Sequence, residues 1–500
     1  MNWLRNLWRR LDLPAIGLAI AFALVALVHL FRNGQGLAAK ELSLDEAGTW
    51  GIAAQSFWRN CTLPTEFHSQ PPLYYFLLHF LVKFGESELY MRSISWLFCL
   101  GVVGFAIFGL REINPLSRVL LAVIFVLNNL TNWISRNVRP YAMAALAGFL
   151  SLVFFVRLIA EPSRKRAIAY TAATTVVLWV TPLAVWTFAA QILYALVLVG
   201  VHLPRHGSRA TIERYRLVAA SMLATGFLYL PYFVMAVHYQ LAPGPGLGPG
   251  PALHAALSWQ NLRGVFESFL LVGLPFSLAL LGLILLAVVA ELAARRAAVL
   301  LWLMVAVGHV GFAYGFLLGR TGVFYHYMTP AFPAFCFLVA LGFHHLSQGA
   351  SRHAFKVAVT VVFLLALTYF GEFRASVAAP MPDHGWRRVR AALAAIPEQK
   401  VIFFDTGYDG QFLEYYARKD HDLVFATMKG TGWSSGGAGF LQPSYVQGVI
   451  REHGTKPICY LYRVDEGPRS QYRSTFVPAV KALGYVEMPG IEGIHRYCRP

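Results

Sequence analysis

The chain has 500 residues, of which 57% are hydrophobic and 13% are charged, and its mean hydropathy is +0.52. Soluble globular proteins carry roughly a quarter charged residues, so this composition excludes an ordinary soluble globule and predicts that most of the chain lies in lipid. The formal net charge of +17 does not indicate nucleic-acid binding. Basic residues are dispersed between the hydrophobic runs, where they set the orientation of membrane spans.

Hydrophobic runs long enough to cross a bilayer predict a polytopic α-helical membrane protein with about eleven transmembrane helices, within a range of roughly 10 to 13. The first run follows three arginines and has no obvious cleavage site, so it is predicted to be an uncleaved anchor with a cytoplasmic N-terminus. The predicted spans are Leu13–Phe31, Tyr90–Leu110, Arg118–Ile134, Pro140–Leu158, Ala167–Thr181, Leu183–Val201, Leu217–Val237, Phe269–Ala290, Ala297–Leu317, Tyr325–Phe343 and Lys356–Phe370.

A shorter apolar run, Leu73–Phe84, is treated differently. As a helix it is about 18 Å long, too short to cross roughly 30 Å of hydrocarbon. Tyr75, His79 and Lys83 recur at every fourth position and predict a polar stripe, so we expect an interfacial helix. This placement puts arginine-rich loops, including Arg164-Lys165-Arg166, on the cytoplasmic side, as the positive-inside rule requires. The first outer loop, residues 32–89, then faces the other side.

Beyond about residue 371 the pattern changes, because short apolar runs typical of strands alternate with helical segments. Residues 1–371 are therefore predicted to form the transmembrane domain, and residues 372–500 a soluble α/β domain on the outer face. Cys459 and Cys498 both fall in this tail and could pair there if its compartment is oxidising. The predicted strands are Lys400–Asp405, Asp422–Ala426 and Pro457–Val464, and the predicted helices are Trp386–Ile396, Gln411–Arg418 and Tyr472–Leu483.

Two adjacent acids, Asp45 and Glu46, lie in the first outer loop. Glycosyl transfer requires a carboxylate that removes the acceptor's proton, and a positive charge or a metal that stabilises the leaving phosphate. Asp45 is the leading candidate for that general base, with Glu46 beside it at the catalytic site. The alternative is an ordinary pair of solvated loop acids.

Two arginines, Arg136 and Arg139, lie on the same outer face and are followed by Tyr141. Arginines are normally enriched in cytoplasmic loops, so two arginines on the outer face need another explanation. Because guanidinium pairs bidentately with phosphate oxygens, we expect them to bind a lipid-linked phosphate. The alternative is snorkelling to lipid headgroups. His68 and Gln70 precede a Pro-Pro pair and are candidates for binding a phosphate or a metal, with a plain surface role as the alternative.

Two further hypotheses compete with catalysis. A transporter or flippase of polyprenyl-linked sugars places ionisable residues within its spans, but the predicted spans hold few acids at mid-depth, which favours an enzyme. An inactive scaffold whose tail binds a partner is the other. The aromatic run Tyr325-His326-Tyr327, on the outer face, is predicted to be part of an interface belt.

Four motifs together carry a resemblance to a known group. They are Leu44-Asp45-Glu46-Ala47, the His-x-x-Pro-Pro-Leu-Tyr-Tyr run at 68–75, the segment Gly85–Arg92, and Arg139-Pro-Tyr141. In this order they resemble the bacterial membrane transferases related to protein O-mannosyltransferases and the lipid A aminoarabinose transferase, which are GT-C glycosyltransferases. The resemblance is clearest over about residues 40–160.

The resemblance implies a multi-pass enzyme of the bacterial inner membrane, with a mannosyltransferase-like activity on the outer face. Its donor would be a sugar carried on a polyprenyl phosphate, and its acceptor a protein, lipid or glycan. Asp45 matches the family's base, His68–Pro72 its lipid-phosphate region and Arg139 the arginine before Pro-Tyr. One departure is Asn137, where relatives often carry a glutamate. The part played by a second acid or a divalent metal therefore stays open.

Overall fold

The computed structural model describes residues 13–34, 37, 42–68, 70–241, 274–294, 296–317, 325–349, 401–404, 423–425, 459–463, 477–491 and 494–498. Most of these residues are helical, and one large apolar core joins the long helices. The helices are α1 Leu13–Gly34, α2 Leu44–Ala53, α3 Phe57–His68, α4 Leu73–Leu81, α5 Glu88–Gly104, α6 Pro115–Leu127, α7 Asn129–Ser135, α8 Tyr141–Ala160, α9 Arg164–Leu178, α10 Ala184–Leu241, α11 Leu274–Ala293, α12 Ala298–Leu317 and α13 Phe332–Gly349.

Four helices in the described part of the chain are long and apolar enough to cross a membrane, namely Pro14–Gly34, Glu88–Gly109, Tyr141–Ala160 and Ala184–His238. A bent pair of helices, α6 and α7, makes a fifth if it counts as one span. These helices agree with the predicted multi-pass membrane protein, whereas the predicted number of spans stays a prediction. The span predicted at Lys356–Phe370 lies outside the described residues.

The span predicted over Arg118–Ile134 consists of two helices, α6 and α7, which meet at an angle of 66°. Asn128 lies at the break in an extended conformation, and its side-chain oxygen accepts a hydrogen bond of 2.7 Å from Leu130 N. An asparagine side chain that accepts from a free backbone N–H in this way favours the start of a new helix over the continuation of the preceding one. The span predicted here therefore stays a prediction, and a break at Asn128 divides its helix in two.

The long helix α10 covers both of the spans predicted at Leu183–Val201 and Leu217–Val237. Gly207 interrupts it with φ 78° and ψ 170°, a conformation that glycine adopts without steric cost. The two spans are therefore joined by helical turns around a kink rather than by an irregular loop. The break predicted at Pro182 is confirmed, because it separates the end of α9 from the start of α10.

The short helix α4 contains nine residues, in agreement with the prediction that this segment is too short to span. The polar stripe predicted along it was wrong in one respect, because Tyr75 is fully buried together with Tyr74 and Leu78. These side chains pack in a cluster with residues of α2. Large aromatic rings bury much apolar area when they face such a cluster. The outward side instead carries Phe80, which is 50% exposed, and is followed by Phe84, which is 83% exposed.

The described part of the tail contains a five-stranded sheet of order β2-β1-β3-β5-β4. The first three strands pair in parallel and the last two join antiparallel. The strands are β1 Val401–Phe404, β2 Leu423–Phe425, β3 Cys459–Arg463, β4 Val486–Ile491 and β5 Ile494–Cys498. The three predicted strands are therefore present. The helices predicted at Trp386–Ile396 and Gln411–Arg418 lie outside the described residues, so the α/β domain and its boundary at residue 372 remain predictions.

A disulfide joins Cys459 of β3 to Cys498 of β5, which face each other across the two strands. Both cysteines belong to a buried cluster that also contains Leu42, Trp50 and Val138. The sheet of the tail is therefore packed against the segment that contains α2, beside the residues that are candidates for catalysis.

Candidate active site

Helix α2 begins with a capping box that fixes the position of Asp45. The Ser43 hydroxyl accepts a hydrogen bond from Glu46 N at 3.4 Å, and Glu46 Oε2 accepts one from Ser43 N at 2.8 Å. Each side chain thereby satisfies one unpaired N–H of the first turn. Asp45 lies between them at the positive end of the helix dipole, which favours a carboxylate, and its side chain is 50% exposed.

Glu46 is buried and its carboxylate is fully occupied. Arg92 donates from Nε to Oε1 and from Nη2 to Oε2, both at 2.8 Å, and Val138 N donates to Oε1 at 3.0 Å. With the bond from Ser43 N, the four acceptor positions of a carboxylate are all used. Glu46 therefore ties the start of α2 to α5 and to the loop that carries Arg139.

Arg139 is the buried cation beside Asp45, with 6% of its surface exposed. Its Nη2 lies 3.8 Å from Asp45 Oδ2, while Nη1 donates to Asp45 O at 3.4 Å and to Thr49 Oγ1 at 3.2 Å. Thr49 in turn donates to Asp45 O at 2.7 Å. Among the described residues, the buried Nε of Arg139 has no hydrogen-bond partner.

An unpaired buried guanidinium N–H carries a desolvation cost of about 1–3 kcal/mol or more. An anion that reaches Nε removes this cost, and a phosphate oxygen matches the forked geometry of a guanidinium. The arrangement around Arg139 therefore suits an anionic ligand next to the Asp45 carboxylate.

Three ring side chains surround Arg139. Burial raises the pKa of Tyr75 to about 12, although the charge of Arg139 opposes the shift, so its phenol stays neutral and can donate a hydrogen bond. The Arg139 guanidinium lies 5.8 Å from the centre of the Tyr141 ring, within cation–π range. His326 reaches the same place from a distant part of the sequence, with its ring centre 4.8 Å from that of Tyr141.

No family model matches the sequence, and no curated protein matches it either. Solved structures do match it. ArnT from Cupriavidus metallidurans bound to undecaprenyl phosphate superimposes with a TM-score of 0.62 at 15% identity, over 97% of this chain and 98% of that one. The oligosaccharyltransferase of Archaeoglobus fulgidus in the apo form superimposes with a TM-score of 0.53 at 12% identity, over 97% of this chain and 74% of that one. Both are GT-C glycosyltransferases. The chain has the GT-C fold.

The GT-C fold brings together three of the predicted site residues and separates a fourth. Asp45, Arg139 and Tyr141 form one group, as described above. Arg136 instead donates from Nε to Asn33 O at 3.2 Å and from Nη2 to Arg32 O, where the last carbonyls of α1 need donors. Burial, followed by the charge of a neighbouring arginine, lowers the pKa of Arg136 to about 10.

The remaining predicted residues make fewer contacts at this site. Gln70 is half-buried in the segment before α4, and His68 is the last residue of α3, with its side chain outside the described residues. Asn137, the departure from the related sequences, donates to Trp133 O, and its own carbonyl accepts from Ser95 Oγ at 2.7 Å. Within the described ranges, no group of three or more His, Cys, Asp or Glu side chains is arranged to hold a metal.

The sequence contained signals for some contacts that were not predicted. The spacing Ser43-x-x-Glu46 is a capping box, and it indicates a helix start in which Glu46 is a structural residue. Thr49 follows Asp45 by four residues and therefore shares its helix face. His326 had no such signal, because a position in an aromatic run at a span end is typical of an interface belt.

Proposed function

We propose that this protein is a glycosyltransferase that moves a sugar from a polyprenyl-phosphate donor to an acceptor on the outer face of a bacterial inner membrane. The observation that carries the proposal is the pairing of the half-exposed Asp45 carboxylate with the buried Arg139 guanidinium at 3.8 Å. The GT-C fold supports it, and the ArnT structure of this fold contains undecaprenyl phosphate.

In the proposed reaction, Asp45 accepts the proton of the acceptor's nucleophilic group as that group attacks the anomeric carbon. The bond between that carbon and the phosphate oxygen breaks on the opposite side, so the configuration inverts and the polyprenyl phosphate leaves. Arg139 stabilises the negative charge on the leaving phosphate through its guanidinium. The neutral Tyr75 hydroxyl is a second donor close to Arg139.

The geometry lets Arg139 bind the phosphate of the donor without first breaking a strong interaction with Asp45. Its contact with Asp45 is long, and the Asp45 side chain is half exposed, so the pair itself contributes at most about 1 kcal/mol. A phosphate can therefore bind Arg139 while Asp45 stays directed at the acceptor. Glu46, whose oxygens are all occupied, is assigned to positioning in this proposal rather than to proton transfer.

The disulfide supports an outer location for the site. Disulfides persist in oxidising compartments, and Cys459 and Cys498 share a buried cluster with Leu42 and Trp50 of the first outer loop. The tail and this loop therefore belong on one side of the membrane. We propose that this side is extracytoplasmic and that the acceptor, whether protein, lipid or glycan, approaches from it.

The decisive experiment replaces Asp45 with asparagine, which keeps the shape of the side chain and removes the base. A strain that lacks the gene is compared with the same strain that expresses wild-type protein, and the surface glycan that only the wild type restores is the readout. We expect Asp45→Asn to restore none of it at an equal protein level in membranes. Glu161→Gln, an exposed acid at the other end of α8, is the control and should restore it fully. Restoration by Asp45→Asn would rule out the assigned base.

A further inference from the structure

A cluster of three aromatic rings lies directly beside Arg139, and the proposed reaction has not used it. The ring centres of Trp133 and His326 are 4.5 Å apart and the two rings are nearly parallel, at 10°. The centre of the Tyr141 ring lies 4.8 Å from that of His326 and 5.5 Å from that of Trp133. We refer to these three side chains as the ring platform.

Hydrogen bonds to two backbone carbonyls hold the turn that carries His326. His326 O accepts hydrogen bonds from both the backbone N and the hydroxyl of Thr329, which closes the turn Tyr325–Met328. The next residue, Tyr327, is held by a 3.0 Å hydrogen bond from His309 Nε2 of α12 to its carbonyl oxygen. Because its rings also pack on one another, the platform loses little side-chain entropy when a ligand stacks on it.

The platform differs from an ordinary aromatic belt at a membrane surface. Belt residues stand at the interface as separate amphipathic rings, whereas these rings stack on one another next to a buried cation.

We infer that the ring platform holds the sugar of the lipid-linked donor by stacking. In such a donor the sugar is bonded directly to the phosphate, so a phosphate on Arg139 brings the sugar to the neighbouring rings. A pyranose has an apolar C–H face, and an aromatic surface removes that face from water. The substrate class is thus a pyranosyl phosphate lipid whose ring carries an exposed C–H face. The inference rests on the proposed function, because it needs the phosphate at Arg139.

The test measures binding to the full-length protein in nanodiscs with four probes. These are undecaprenyl phosphate itself and its glucosyl, mannosyl and galactosyl derivatives. The wild type should bind at least one of the derivatives roughly three- to tenfold more tightly than undecaprenyl phosphate, the range expected for one aromatic stack. Equal binding of all four probes by the wild type overturns the inference.

Three variants separate the platform from the phosphate position. His326→Ala should abolish the preference for the glycosylated probe and leave the affinity for undecaprenyl phosphate unchanged, while His326→Phe, which keeps a ring, should retain most of the preference. Arg139→Gln should weaken the binding of all probes alike. His206→Ala, at an exposed position far along α10, is the matched histidine control and should bind like the wild type.

The outcomes distinguish the two proposals. If Arg139→Gln leaves the affinity for undecaprenyl phosphate unchanged, the proposed function itself fails. If Arg139→Gln weakens binding but His326→Ala keeps the preference for the glycosylated probe, only the ring platform is overturned. A His326→Phe variant that behaves like His326→Ala also overturns it, since stacking is then not the interaction.

Discussion

The buried ion pair between Glu46 and Arg92 offers the sharpest test of how the site is held together. Their side chains are only 2% and 3% exposed. Arg92→Leu removes two contacts of 2.8 Å and leaves Glu46 with only backbone donors, from Ser43 and Val138. Removing one partner of a buried pair costs about 3–5 kcal/mol, because the other charge stays behind without compensation.

The measurement is thermal unfolding in detergent, followed with a thiol-reactive dye. Cys99 and Cys336 are free and buried, so they react when the membrane core opens. For a chain of 500 residues the unfolding entropy is about 1 kcal/mol/K, so 1 kcal/mol shifts the midpoint by roughly 1 °C. Arg92→Leu should therefore lower the midpoint by about 3–5 °C.

Two further variants decide whether burial is the cause. Arg157→Leu breaks a pair of similar geometry with Glu112, at 2.7 Å, but those side chains are 25% and 34% exposed, so the expected loss is about 1 kcal/mol or less. The double variant Glu46→Gln/Arg92→Leu removes both charges and keeps an acceptor for the backbone, so it should regain at least half of the loss. An Arg92→Leu midpoint no lower than that of Arg157→Leu would refute this reasoning.

Two other substitutions test local contacts. Thr49→Val removes the hydroxyl that accepts from Arg139 Nη1 and should raise the KM for the donor severalfold, with a change in unfolding free energy of about 1 kcal/mol; an unchanged KM in donor titrations would contradict the role of this bond. Gly342→Ala places a Cβ against the backbone oxygen of Leu283, so we expect a loss of about 1–3 kcal/mol in the same thermal assay. The control is Gly282→Ala, where a Cβ meets no described atom within 4 Å, and it should unfold like the wild type. Equal midpoints for Gly342→Ala and Gly282→Ala would contradict the close packing of Gly342 against Leu283.

The multi-pass helical character could be predicted from the sequence because hydrophobic length is enough to indicate it. The break at Asn128 was missed although the sequence carries a signal for it. Two asparagines, Asn128 and Asn129, stand together inside the hydrophobic run, and asparagine competes with the backbone for hydrogen bonds and so favours a cap. Hydropathy averaged over a window of about 20 residues conceals two adjacent asparagines inside an apolar run.

The sequence singles out the two adjacent acids as candidates, but it does not predict their different burial. Asp45 and Glu46 are neighbours in the sequence, but successive residues of a helix point in different directions, so one is half exposed and the other is buried. Which of them turns inward depends on Arg92, which follows Glu46 by 46 residues, and on Val138, which follows it by 92. Tertiary packing determines such distant partners, and no local pattern in the sequence predicts them.

The disulfide in the tail has a consequence for how the molecule is made. Cys498 follows Trp50 by 448 residues, and with Cys459 it belongs to the same buried cluster as Leu42 and Trp50. The segment around Trp50 therefore leaves the ribosome long before the residues that complete its core. A chain that stops short of Cys498 leaves the apolar side chains around α2 uncovered, which makes intact synthesis of the tail a condition for assembling the site.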